Sequence, residues 1–258
     1  MLAALATQSP EVAPSIVGAG AIGPLVALVK TGNEIGQLYA ASAIASIAAN
    51  NPQHQAEVVC AGGVKALASL LRMGSAGTQE QAAAALASIS EDSRYQHLIV
   101  DAGALLPLIS LLKGGKGNTQ VHAAATIANL TADNPEIQAM VVNAGGLPLV
   151  LALLECGKER AQVHAARATA KICQQNPEIQ ASVAAQGGVA PLLILLNGRN
   201  IDAQVHAATA LAELARDNTE TQASIAKAGG IGPLLSMLAS RHASAQSQAA
   251  SALAQLAK

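Results

Sequence analysis

Three histidines of this 258-residue chain recur in one setting: His122, His164 and His206 each stand inside Gln-Val-His-Ala-Ala. Imidazole is the commonest protein ligand for metals and a common general base, so a metal centre or a proton-transfer site is the first chemistry to test. Their spacing argues against it. The three are 42 residues apart, and on successive packed helices, about 8–10 Å between axes, they form a ladder. An ion needs its ligand atoms at about 2.0–2.1 Å, so no metal site is expected. A second candidate is Gly18-Ala19-Gly20-Ala21-Ile22-Gly23 after Ser15-Ile16-Val17, which spells the dinucleotide fingerprint G-x-G-x-x-G. Pro14 sits in the supposed strand, no acidic residue follows at about 20 positions, and the same turn recurs near Gly62, Gly145, Gly187 and Gly229 among helical neighbours. No cofactor is expected. Cys60, Cys156 and Cys173 are far apart and odd in number, which excludes a disulfide framework and a structural zinc site. Nor do Ser, His and acidic residues form a nucleophile–base arrangement. The chain is expected not to be an enzyme.

Composition narrows the architecture. Hydrophobic residues make up 51% of the chain, yet aromatic residues are 1%, with no Phe, no Trp and two Tyr. An interior of Ala, Leu, Ile and Val suits closely packed helices better than a sandwich, where aromatic and β-branched residues carry the packing. A net charge of -1 supplies no positive field for nucleic acid or an anionic membrane. Neither partner is expected. The opening Met1-Leu2-Ala3-Ala4-Leu5-Ala6-Thr7 has no basic flank and no apolar run reaches a bilayer-spanning length. With free cysteines, this points to a soluble intracellular protein, cytoplasmic or nuclear.

The glycines opening the Gly-Gly and Gly-Ala turns, Gly20, Gly62, Gly103, Gly145, Gly187 and Gly229, are spaced 42, 41, 42, 42 and 42. Gln55, Gln96, Gln138, Gln180 and Gln222 keep the same step, as do Gln37, Gln79, Gln120, Gln162, Gln204 and Gln246. Ladders in phase define a structural repeat. Each unit reads as three helices. The first opens at a cap such as Asn134-Pro135-Glu136, with Pro in the first turn and Glu complementing the helix dipole. It stops at Ala144-Gly145-Gly146, where glycine can turn left-handed. The second, as in Val189 to Leu196, is apolar nearly all round and therefore buried. The third, Ala203 to about Arg216, is rich in Ala pairs that allow close helix approach.

The segments 134–147 and 162 onward resemble the first and third helices of armadillo repeats, and the resemblance covers essentially the whole chain. It implies an all-α, right-handed α-solenoid: a single domain over 1–258 with repeats at about 9–49, 50–90, 91–132, 133–174, 175–216 and 217–258. Residues 1–7, with Leu2 and Leu5 in register with Ile127 and Leu130, are expected to end the third helix of a preceding repeat. Neither end is polar enough to cap a solenoid, so the chain is expected to be part of a longer protein or to associate end to end.

In that family the third helices line a concave groove that grips extended peptides. Steps of three and four residues link His122 to Ala125 and Asn129, His164 to Arg167 and Lys171, and His206 to Thr209 and Glu213. Tyr39, Gln81 and Gln248 hold the histidine position in the other repeats. The partner-binding residues expected are Tyr39, Gln81, His122, Asn129, His164, Arg167, Lys171, His206 and Glu213. Arg167 and Lys171 make a basic spot suited to an acidic or phosphorylated segment, unless Lys171 pairs with Glu213 across the interface. Nuclear-import adaptors carry a Trp and, four residues on, an Asn on this face. Here the Trp positions are Ser42, Ala84, Ala125, Arg167, Thr209 and Ser251, and of the Asn positions only Asn129 is kept. Import-signal recognition by that device is therefore not expected. The resemblance implies a protein-protein interaction scaffold or adaptor, with an architectural spacer inside a larger protein as the alternative.

Overall fold

The computed structural model describes residues 12–258, and the expectations for residues 1–7 lie outside them. Among the described residues there are eighteen α-helices and one short 3-10 turn. The chain is an all-α, three-helix solenoid in two compact units, which adjoin in sequence at Leu130 and Thr131. In the first unit the helices are α1 Val12–Gly18, α2 Ile22–Thr31, α3 Glu34–Ala48, α4 Pro52–Cys60, α5 Gly63–Met73, α6 Ala76–Ile89, α7 Gln96–Asp101, α8 Leu105–Gly114 and α9 Asn118–Leu130. The second holds α10 Pro135–Asn143, α11 Gly146–Cys156, α12 Glu159–Cys173, α13 Pro177–Ala185, α14 Val189–Leu196, α15 Ile201–Ala215, α16 Thr219–Lys227, α17 Ile231–Leu238 and α18 Ala243–Leu256. Both tyrosines, Tyr39 and Tyr95, belong to the first.

The first helix of a repeat starts at an asparagine whose side-chain oxygen accepts a backbone N–H three residues on, as at Asn134 from Ile137 (3.2 Å), Asn176 from Ile179 (3.2 Å) and Asn218 from Thr221 (2.9 Å). That satisfies one of the donors a helix start leaves open. The helix ends where glycine turns left-handed. All six glycines of the sequence ladder have φ between +73° and +82°. At Gly187 the chain then folds back, with the Gly188 N–H donating to the Val183 carbonyl at 2.9 Å. First and second helices consequently meet at 87° (α7 and α8), 81° (α10 and α11) and 83° (α13 and α14).

The two glutamine ladders cap helix ends. Gln55, Gln180 and Gln222 are at most 9% exposed and donate from Nε2 to the carbonyls of Ala48, Cys173 and Ala215, the ends of the preceding third helices, at 2.9–3.0 Å. Gln79, Gln120, Gln162 and Gln204 do the same for second helices, donating to Leu71, Leu112, Leu154 and Leu196 at 2.8–3.2 Å. Terminal carbonyls that the helix cannot pair are thereby satisfied within the protein. Gln180→Leu keeps the volume but strands a buried acceptor, and is expected to destabilise the second unit by about 1–3 kcal/mol, read as a lower urea midpoint.

The third repeat departs from the rest. The third helices α3, α9, α12 and α15 are followed by a left-handed residue other than glycine, at Asn50, Asp133, Gln175 and Asp217, with φ of 52–54°. The 41-residue step removes that residue: α6 stops at Ile89, and Ser90 keeps helical dihedrals (φ -72°). Asp92 then caps a 3-10 turn, Ser93–Tyr95, accepting from the Arg94 N–H at 3.0 Å. Its carboxylate is also gripped by the Arg94 guanidinium, which lowers the Asp92 pKa. The α-helical part left, α7, has only six residues.

Third helices make the main inter-repeat contacts in each unit, α3 with α6 and α6 with α9, then α12 with α15 and α15 with α18. Small side chains make this possible. Ala41, Ala83, Ala124, Ala166 and Ala208 occupy one register position and are each 0% exposed.

Candidate functional site

The buried alanine rows fix the rotation of each third helix, and with it the side chains left on the opposite face. On α12 these are His164, Arg167 and Lys171, all half-buried, and on α15 His206, Thr209 and Glu213, also half-buried. Gln248 of α18 continues the row, its Oε1 accepting from the Thr209 hydroxyl at 3.1 Å. In the first unit Tyr39 is 58% exposed, whereas Gln81 and His122 are half-buried. Asn129 is different. It is 6% exposed, and its amide nitrogen donates to the Ala87 carbonyl (3.1 Å) and the Ser90 hydroxyl (3.0 Å) of α6 and its cap, so it ties the second and third repeats together.

The second unit gathers cationic groups on this face. Burial lowers the pKa of His206, the positive charge of Arg167 lowers it further, Asp202 opposes and Lys171 adds to the lowering. Two cations on α12 thus act on an imidazole of α15. Lys171 donates to the neutral Gln174 Oε1 at 3.2 Å, and Gln174 donates to Asp133 at 2.7 Å. The alternative pairing of Lys171 with Glu213 is not formed. Glu213 is held by Arg216 of its own helix, through Nη2 to Oε1 (2.9 Å) and Nε to Oε2 (3.2 Å), because residues three apart meet on one helix face more readily than residues on neighbouring helices. The same spacing could have revealed both Arg216 and Gln174 from sequence. Cys173 lies at this end of α12 but is 0% exposed, and burial, with a smaller contribution from Glu213, pushes its thiol pKa far up. A thiol of that kind is inert near neutrality.

His206 carries a measurable consequence. Its folded-state pKa lies below the ordinary 6.5, so the unfolded chain binds the proton more readily. Stability of the second unit is then indifferent to this group above the unfolded pKa and falls as pH drops through it. Urea midpoints taken at about pH 7.5 and about pH 5.5 should differ less in His206→Gln than in the parent chain.

Among the described residues no group of three or more His, Cys, Asp or Glu could hold a metal ion, and no single helix is long and apolar enough to cross a membrane. The repeating three-helix unit with a polar third-helix face defines the class: an α-solenoid of the scaffold type. The Armadillo/beta-catenin-like repeat family matches residues 51–91, 92–132, 134–174 and 218–258. The chain belongs to that family, whose members are non-catalytic scaffolds. An engineered protein of known crystal structure is 32% identical over 92% of this chain and 96% of its own, with a TM-score of 0.83. A second engineered protein is 33% identical over the whole of this chain and 63% of its own, with a TM-score of 0.87. Computationally designed armadillo repeat proteins for modular peptide recognition are 26% identical over 91% and 99%, with a TM-score of 0.80. No curated protein matches the chain.

Proposed function

We propose that this chain is an interaction scaffold that holds an extended partner segment against its third-helix face, with the main anchor on α12 and α15. The observation that carries this reading is the gathering of Arg167, Lys171 and His206, in which both cations act on the imidazole while the neighbouring carboxylate Glu213 is engaged by Arg216. A net positive patch on a chain of net charge -1 selects an acidic or phosphorylated segment, since ionised acceptors make the stronger hydrogen bonds with Lys and Arg. His164 extends the anchor along α12. Tyr39, Gln81 and His122 hold the histidine-ladder position on the third helices of the first unit and form that unit's own contact surface. Asn129 supports its repeat and is left out of the contact surface. The similarity to designed repeats for peptide recognition supports the mode of binding without naming a partner.

The test is fluorescence anisotropy with a labelled library of acidic and phosphoserine-containing peptides. Binders should weaken with salt, and Arg167→Glu with Lys171→Glu should weaken them by about tenfold or more. A purely architectural spacer would bind none of them, and binding indifferent to the double charge reversal would remove the anchor.

A further inference from the structure

The second glutamine ladder has an exception. Gln79, Gln120, Gln162 and Gln204 each donate to the second-helix carbonyl eight residues back, at 2.8–3.2 Å. Gln37, the same position in the first repeat, makes no such bond, and its half-buried side chain lines a cavity of about 450 Å³ between α2 and α5. A serine ladder breaks at the same place. Ser110 and Ser236 turn their hydroxyls back to the carbonyls of Leu106 and Gly232, at 3.0 and 3.1 Å. Ser69, in register with both and half-buried, makes no such bond and lines the same cavity. Two donors of a kind that other repeats use on their own backbone are thus left open at one cavity.

The cavity is also electrically one-sided. Lys30, in the last turn of α2, reaches the start of α5, its Nζ lying 3.5 Å from where a Cβ on Gly62 would sit. Lys65 stands in the first turn of α5. Both lysines line the cavity, and no Asp or Glu does. Among the described residues neither lysine forms an ion pair. The floor is apolar, with Val29, Ala66 and Leu70 at most 5% exposed, and Met73, 84% exposed, adds a flexible apolar wall. The following junction does not repeat this set. Arg72 replaces Lys30 but donates to the Ala102 carbonyl at 3.3 Å, and Leu106 replaces Lys65. We infer that the cavity between α2 and α5 is a second docking site, in the first unit, for an acidic segment of a partner protein that sets an apolar side chain between carboxylates. Four donors on one cavity, two of them cationic, select an ionised acceptor. The apolar floor requires that anion to carry an apolar body, and the volume falls within the roughly 300–1,000 Å³ of ligand sites. The site is independent of the anchor on α12 and α15.

The test follows the Met73 methyl group by NMR in the whole chain, labelled at its methionine methyl carbons and titrated with the peptide acetyl-Ser-Glu-Leu-Glu-Ser-amide. The Met73 signal should shift and saturate. Lys30→Glu with Lys65→Glu should weaken this response by about tenfold or more, and the same peptide with Gln in place of Glu should give none. Gln37→Ala should weaken it by about threefold without moving the urea midpoint, whereas Gln79→Ala, which strands the Leu71 carbonyl, should lower the midpoint. Arg167→Glu with Lys171→Glu should leave the Met73 response unchanged, which keeps the two sites distinguishable. A silent Met73, a shift that survives reversal of Lys30 and Lys65, or an equal shift with the Gln peptide would each overturn the proposal. So would a response lost on reversal of Arg167 and Lys171, or a Gln37→Ala midpoint that falls as far as that of Gln79→Ala.

Discussion

Leu214→Ala is expected to lower the stability of the second unit by about 4–5 kcal/mol, the upper part of the range for truncating a buried leucine. Leu214 is 0% exposed near the end of α15. The expected size follows from the composition of the third-helix layer to which it belongs. Buried positions of α12 and α15 are mostly alanine, among them Ala165, Ala166, Ala168, Ala207, Ala208 and Ala210. A void closes after truncation only if neighbouring side chains can rotate or extend into it, and alanine can do neither. With no phenylalanine or tryptophan in the chain, no large ring can slide across the gap. The residual cavity should be close to the volume removed, and the cost grows with that volume. Urea unfolding with an unchanged slope and a lower midpoint is the expected record; a loss below about 1 kcal/mol would show that the alanine lattice relaxes as freely as an ordinary core.

Gly188→Ala is expected to cost about 1–3 kcal/mol through overpacking, although its backbone conformation, φ -63° and ψ -17°, suits alanine. The added Cβ would lie 2.6 Å from Val183 Cγ1, 3.0 Å from the Val183 carbonyl oxygen and 3.2 Å from Leu151 Cδ2. Its neighbour fails for the opposite reason. A Cβ on Gly187 would meet nothing within 4 Å, but φ is +80°, so Gly187→Ala should cost roughly 1–2 kcal/mol of backbone strain alone. The two mechanisms separate in a double-mutant cycle. Leu151→Ala should offset part of the Gly188→Ala penalty and none of the Gly187→Ala penalty, and equal coupling in both cycles would reject this account.

Gly187 stands in a ladder plain in the sequence, whereas the position of Gly188 is alanine at Ala21 and Ala104. Period and phase were legible, because Gly20 to Gly229 must all turn left-handed and the Asn-Pro starts must all cap. The identity of each marker's partner was less so. Gln55 and Gln180 counted the repeat correctly, yet their task of donating to helix-end carbonyls depends on a chain reversal that brings residues seven apart together. The missing residue in the third repeat could be bracketed between Gln79 and Gln96 by the ladders, but not its effect, which was to delete a left-handed residue and shorten α7 to six residues. On the third-helix face, Arg167, Lys171 and His206 were placed by helical steps alone. Asn129 was misleading, since helical geometry gives the direction of a side chain but not how deeply the neighbouring repeat covers it. For Glu213 the alternative of a Lys171 pair left Arg216, three residues on along its own helix, out of view.

The lack of aromatic side chains also decides how the protein can be observed. Tyr39 and Tyr95 both lie in the first unit, so the second unit contributes no aromatic chromophore. Near-ultraviolet dichroism and intrinsic fluorescence follow the first unit only, while backbone dichroism follows both. Unfolding curves from the two probes will coincide only when the units melt together. Any aromatic signal that originates at the Arg167, Lys171 and His206 cluster must then belong to whatever is bound there, which makes a tryptophan-bearing acidic peptide a probe free of local protein background.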